Sequence, residues 1–254
     1  TLLLTNTTPL LKAQNDLKQD EEFNQLTAIN RSNIEVGIMS GINGSVFQFG
    51  QPLRDAQTQV GIGQLTQGFI KWGGNTGSAF KTSPGYLQKS NRLRIPRPDS
   101  SFTLTYNMHS VSIPVQYVYQ NNYTYLGGNL FQQFYFSGGL GVNFLAKADR
   151  EVEVDNLDLS QSSPITDKVS SLELSFLFSI GSRFIVSKTG SVYIAVRGSN
   201  GLTSINENMD LFSNPGGQVG SIEITQVSLA LMVGVSTSLV PAREEEAQKQ
   251  RGPF

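Results

Sequence analysis

The sequence predicts an all-β chain: an eight-stranded antiparallel transmembrane β-barrel with polar N- and C-terminal tails. Three observations carry that prediction. Apolar and polar residues alternate with period two over unusually long segments, as they do when successive strand side chains point to opposite faces. Only 15% of the 254 residues are charged and only 38% are apolar, whereas an ordinary soluble domain has roughly 25% charged residues. The non-apolar parity is therefore Ser, Gly, Asn, Ala and Gln rather than the Lys and Glu of a wet sheet face.

The strands are read in order as 34–47, 58–71, 78–95, 101–119, 131–148, 170–187, 191–204 and 221–239. The first alternates Ile34, Val36, Ile38, Ile42 against Glu35, Gly37, Met39, Gly41. The second and third are assigned by elimination, from Val60-Gly61-Ile62-Gly63, Phe69-Ile70-Lys71-Trp72 and the stretch from Tyr86 to Ile95. The fourth changes phase: Phe102, Leu104, Tyr106 and Met108 are apolar on even positions, Val111, Ile113, Val115, Tyr117 and Tyr119 on odd ones. A β-bulge in one long strand, or a tight turn at Asn107 between two strands, accounts for this. Ile222 and Ile224 show a similar shift relative to Val227 onward. The fifth strand sets Phe134, Phe136, Leu140, Val142 and Phe144 against Gln133, Tyr135, Ser137 and Asn143. The sixth sets Leu172, Leu174, Phe176, Phe178 and Ile180 against Glu173, Ser175 and Ser179. The seventh and eighth repeat the theme through Val192, Ile194, Val196 and through Val227, Leu229, Leu231, Val233, Val235.

Composition excludes several classes. A net charge of −1 argues against nucleic-acid binding, which needs clustered Lys and Arg to neutralise phosphate. Zero cysteines exclude disulfides, thiolate metal sites and a Cys nucleophile. Fifteen Phe and eight Tyr argue against a wholly disordered chain. No run of about 18 apolar residues exists, so no transmembrane helix is expected.

The apolar parity is expected to meet lipid, with the small polar parity filling the lumen of a narrow barrel. Connections alternate as in outer-membrane barrels: Ser187 to Gly190 is short, whereas 149–169 and 205–220 are long and polar. Tyr117, Tyr119, Tyr123, Tyr125, Phe134, Phe136 and Phe184 are expected to form an interfacial aromatic girdle on the short-turn side. Glu35, Glu173, Arg183 and Arg197 are expected to form a charge network in the lumen, with Arg197 paired to Glu35 or Glu173 across the barrel or through Arg183, because a buried guanidinium is costly unless paired. The uncharged run from Ser100 to Ala146 then reads as two membrane-crossing strands and their periplasmic link.

The order of residues also resembles PorT-like outer-membrane β-barrel proteins of Bacteroidota, of OmpX-like size. The likeness rests on Ser110-Val111-Ser112-Ile113-Pro114-Val115, on Phe136-Ser137-Gly138-Gly139-Leu140-Gly141-Val142, on Leu177-Phe178-Ser179-Ile180-Gly181-Ser182-Arg183, and on the run from Val192 to Ile205. It covers about 101–239. It implies an eight-stranded barrel without catalytic residues, metal or cofactor, and a role such as a secretion component or an anchor of envelope-spanning signalling proteins. One departure is Gly198, where the family usually carries an aromatic after the strand Arg.

The domain reading is a periplasmic N-terminal segment or tether over 1–32, holding at most one short helix, a barrel over 33–239 and a periplasmic tail over 240–254. The expected location is the outer membrane of a Gram-negative bacterium with both termini periplasmic. Expected partners are outer-membrane lipid and lipopolysaccharide, and other envelope proteins reached through tails, loops or wall. Two other readings differ in class. A lipid- or lipopolysaccharide-modifying enzyme would use His109, the single histidine, with Ser110 or Ser112, but adjacent strand residues point to opposite faces and no carboxylate lies nearby in sequence. A soluble lipocalin-like binder would turn its apolar parity inward. Asp155, Asp158, Asp167, Glu207 and Asp210, with Asn156 and Asn208, lack EF-hand spacing and read as solvated loop charge.

Overall fold

A computed structural model describes residues 34–50, 57–74, 77–96, 101–127, 130–154, 159–187, 189–205 and 223–239. The expected tails 1–32 and 240–254 lie outside these residues, as do 155–158 and 206–222. The described strands are β1 (Ile34–Phe49), β2 (Gln57–Gly73), β3 (Gly77–Thr82), β4 (Gly85–Pro96), β5 (Ser101–Gln120), β6 (Thr124–Gly127), β7 (Leu130–Val154), β8 (Leu159–Pro164), β9 (Leu172–Ile185), β10 (Gly190–Gly201) and β11 (Ile224–Leu239).

These strands make eight walls. β1 pairs with β2, and β2 with both β3 and β4, which in turn pair with β5. The series continues β5–β7–β9–β10–β11, and β11 returns to β1 in an unbroken antiparallel register from Ile34↔Leu239 to Phe49↔Ile224. Closure leaves no open sheet edge, the condition for a strand structure in lipid. β3 and β4 are one wall broken at Ser83-Pro84, because Pro84 has no N–H to give the ladder. The neighbours compensate: Ser83 N–H donates to the Pro114 carbonyl at 3.2 Å, and Gly68 N–H to the Pro84 carbonyl at 3.0 Å. β6 and β8 are short additions that pair with opposite ends of β7.

β1 begins and β11 ends at one rim, the terminal rim. It carries the short links 74–76 and 186–189 and the β6 hairpin. The other rim carries the long links 155–171 and 202–223. The short η1 turn (Thr166–Lys168) sits within the first of these.

The apolar parity faces outward. Ile42 is 64% exposed and Leu229 58%, and the row continues through Ile38, Ile113, Leu140, Phe176 and Val233. This overturns the lipocalin-like reading, in which those residues would form the core.

β5 corrects the expectation of a turn at Asn107 or a bulge within that strand. It is continuous, and its even residues face inward from Tyr106 and Met108 through Ser112 to Gln120. What changes at His109 is the chemistry of each face. Toward the terminal rim the inside is polar and the outside apolar. Toward the loop rim the inside is apolar and the outside carries Thr103, Thr105 and Asn107. A register shift does occur there, but the extra residue is Ala146 of β7: His109 faces Lys147 while Ser110 faces Leu145. On β7 the shift moves the inward parity from odd (Asn143) to even (Ala148). Ile224 repeats the pattern on β11, pointing inward in phase with Gln226 while Val227 points out.

The inward apolar residues near the loop rim form a cap: Phe47, Tyr106, Met108, Ala148 and Ile224 from the wall, with Ile165, Val169 and Ile205 from the long links. The links are pinned by backbone hydrogen bonds from Ile165 N–H to the Ala148 carbonyl, Ser170 N–H to the Ile205 carbonyl and Ile205 N–H to the Ile224 carbonyl, each 2.9 Å.

Candidate functional site: the filled lumen

Beneath the cap the lumen is packed with polar side chains in layers. The layer nearest the terminal rim is centred on Glu35. Its direct cross-strand partner on β2 is Lys71, and the register brings Lys71 Nζ to 2.6 Å from Glu35 Oε2. Arg183 reaches the same oxygen from β9 at 3.4 Å. Tyr193 OH donates to Glu35 Oε1 at 2.7 Å, and the Ser236 hydroxyl donates to it as well. Arg183 Nε donates to Ser191 Oγ at 3.0 Å, and Lys71 Nζ to Gln120 Oε1 at 2.9 Å. Each member but the half-buried Ser236 is buried, so the ion pairs stand in low dielectric with their remaining hydrogen-bonding capacity largely met.

A second ionic layer lies below the cap. Lys89 Nζ is 2.8 Å from both oxygens of Glu173, and Asn143 Nδ2 donates to Glu173 Oε2 at 3.0 Å. Between the two layers sit Met39, Phe69, Ala79, Tyr135, Ala195 and Met232. The Lys81 ammonium lies in this zone, 5.9 Å from the Phe69 ring centre and 5.7 Å from that of Tyr135, in cation–π geometry.

Of the four predicted network residues, the structure joins Glu35 to Arg183 and puts Glu173 in a separate pair. Arg197 is a correction. Among the described residues no carboxylate lies within 4 Å of it. Its Nη1 donates to Gln67 Oε1 at 2.6 Å and its Nη2 to Gln116 Oε1 at 3.4 Å. The reason is distance and competition. On β10 the residue level with Glu35 is Tyr193, four positions or about 13 Å along the strand, and Lys71 and Lys89 already occupy the two acids.

Sequence reasoning missed Lys71, Lys81 and Lys89. Their parity was the available signal: Leu65, Gln67, Phe69 and Lys71 share one face. On β2 the outward set includes Gln64, Thr66 and Gly68, which blurs the alternation that elsewhere separates lumen from lipid.

On the outer wall Tyr117, Tyr119, Tyr125, Phe134 and Phe136 are exposed near the terminal rim, and Phe184 is half-buried beside them. Trp72 and Phe80 extend this arc. Their rings stack with centroids 6.3 Å apart, and Phe80 meets Tyr117 edge-on at 5.8 Å. Tyr123 departs from its expected place: its hydroxyl accepts from Arg183 Nη1 at 3.5 Å, so it serves the lumen network. Higher on the wall the Phe178 ring occupies the space where a Cβ on Gly198 would stand, and Gly198 is its direct cross-strand partner. That explains the missing aromatic after Arg197: the ring comes from the neighbouring strand instead. His109 points outward and is hydrogen-bonded through Nδ1 to the Tyr86 hydroxyl, while Ser112 points into the lumen. Among the described residues no His, Asp and Glu side chains cluster as metal ligands do.

A closed wall with an apolar row outside and ionic layers inside is that of a membrane barrel. A family model described as outer membrane protein beta-barrel domain matches residues 13–207. The chain belongs to this outer-membrane β-barrel family. The outer-membrane barrel is also similar to solved structures of small barrels. OprG of Pseudomonas aeruginosa is 12% identical, with TM-score 0.41, covering 84% of this chain and 99% of OprG. Neisserial surface protein A is 12% identical, with TM-score 0.38, covering 80% and 97%. Ail of Yersinia pestis is 12% identical, with TM-score 0.34, covering 80% and 97%. Comparison with curated protein sequences finds no match. Membership implies a Gram-negative outer membrane as the location of the barrel.

Proposed function

We propose that this barrel is a non-catalytic structural subunit or anchor of an envelope complex for secretion, assembly or signalling. The observation that carries the reading is the lumen, which the Glu35 layer, the Lys89–Glu173 layer and the apolar cap block at successive levels. A filled barrel offers no solute path, so its working parts are the outer wall, the long links and the terminal segments. The terminal rim, with its aromatic arc and short links, faces the periplasm in this reading, and the long links face outward. The start of β1 and the end of β11 then stand on the periplasmic side, within reach of periplasmic proteins. The residue order from 101 to 239 supports placing the barrel with the PorT-like group.

Purification in mild detergent followed by identification of co-purifying envelope proteins tests the proposal. Stoichiometric periplasmic or outer-membrane partners are expected. A lone monomer would count against a subunit role, and steady ion conductance in planar bilayers would overturn the sealed lumen.

A further inference from the structure

The buried charged residues described are Glu35, Lys71, Lys81, Lys89, Glu173, Arg183 and Arg197. Five are basic and two are carboxylates, so among the described residues the buried bases outnumber the buried acids by three. Lysine can shed its proton to escape such a site, but a guanidinium stays protonated. Arg197 is therefore a permanent charge, 5% exposed, with two amide oxygens for company and no carboxylate within reach. Its Nε has no hydrogen-bond partner, and neither does Gln67 Nε2 beside it. Buried cations of this kind are strongly unfavourable without a counter-charge.

Arg197 also lines a small cavity inside the barrel. All eight walls contribute to its lining, which includes the hydroxyls of Ser112, Ser175, Ser199 and Ser228 and the amide of Asn143. About 20 Å³ is left within which the centre of a water-sized sphere can move. The Ser199 and Ser228 hydroxyls bond each other, Ser175 donates to the Gly141 carbonyl and the Asn143 amide donates to Glu173 and Ser175, which leaves the Arg197 guanidinium and the Ser112 hydroxyl as the donors that a halide in this space would meet. The chamber is too small for phosphate or a carboxylate metabolite.

We propose that the lumen of this barrel holds a monatomic anion, chloride under cellular conditions, against Arg197. The ion supplies negative charge beside Arg197 and ties a donor of β10 to one of β5. One orphan in the lining is an acceptor, Asn43 Oδ1, which water would satisfy. Water would leave the Arg197 charge uncompensated.

The test refolds the full chain from urea into detergent in sodium chloride, sodium bromide or sodium gluconate at equal ionic strength. Thermal loss of the folded, faster-migrating gel band is then followed. The halides are expected to raise the melting temperature by about 5 °C over gluconate, the effect of a ligand near a hundred times its dissociation constant. Arg197→Gln and Ser112→Ala are expected to shrink that halide increment. Crystals grown in bromide are expected to show one anomalous peak beside Arg197. Equal melting in all three salts, or an increment that survives both substitutions, overturns the proposal. A crystal with water alone beside Arg197 overturns it as well. Should Arg197→Gln fail to fold, Ser112→Ala and the bromide peak in the unaltered chain decide it.

Discussion

The two ends of β5 obey opposite rules on one continuous backbone. From His109 toward the terminal rim, Ser112 and Gln116 point in while Val111, Ile113 and Val115 point out. Toward the loop rim Tyr106 and Met108 point in, and Thr103, Thr105 and Asn107 point out. The strand does not turn over; the medium outside it does. Lipid rewards apolar contact on the outer face below this level, and water rewards polar contact above it. The same boundary crosses neighbouring walls, where Arg92, Arg94, Lys147, Glu151 and Glu153 stand on the outer face beside the upper part of β5.

Substitutions that treat the two zones alike should have unlike effects. The largest is expected in the lower lumen. Glu35→Gln leaves Lys71 and Arg183 facing each other without a carboxylate and should cost about 3–5 kcal/mol, read from urea unfolding in lipid vesicles. Next, Met108→Ala opens a hole in the upper cap and should cost about 2–4 kcal/mol by the same measurement. A surface-like loss below about 0.5 kcal/mol would mean that the cap is not a packed core. On the outer face, Val233→Lys places an ammonium mid-way along the apolar row of β11 and should cost about 2–4 kcal/mol. Thr105→Lys, on the outer face above His109, should stay within about 0.5 kcal/mol. Similar losses at both positions would erase the boundary drawn here. The smallest effect belongs to the pair of exposed Lys147 with half-buried Asp149, 2.6 Å apart. Lys147→Ala should change stability by less than about 0.5 kcal/mol, and added salt should remove the difference.

Much of the architecture is legible in parity. All eight expected walls are present, including the two assigned by elimination. What parity could not reveal follows from how it works. It reports the product of backbone phase and surrounding medium, so a change of medium at His109 looks the same as a change of phase. The true phase change on β7 falls at Ala146, a residue small enough to leave no mark on the alternation. Within the lumen, sequence marks Glu35, Glu173, Arg183 and Arg197 as charges on an inward face, but pairing depends on the stagger between strands. That stagger gives Glu35 to Lys71 and Glu173 to Lys89, and leaves Arg197 with two glutamines.

The β1–β11 seam has a consequence for time as well as for shape. The first and last strands described are hydrogen-bonded along their whole length, so no partial chain can make a finished barrel. Every intermediate that lacks β11 carries a long unpaired edge, which lipid punishes and another strand would welcome. Closure of the barrel must therefore wait for β11. A truncation before Ile224 should give no shortened barrel, only a substrate for degradation.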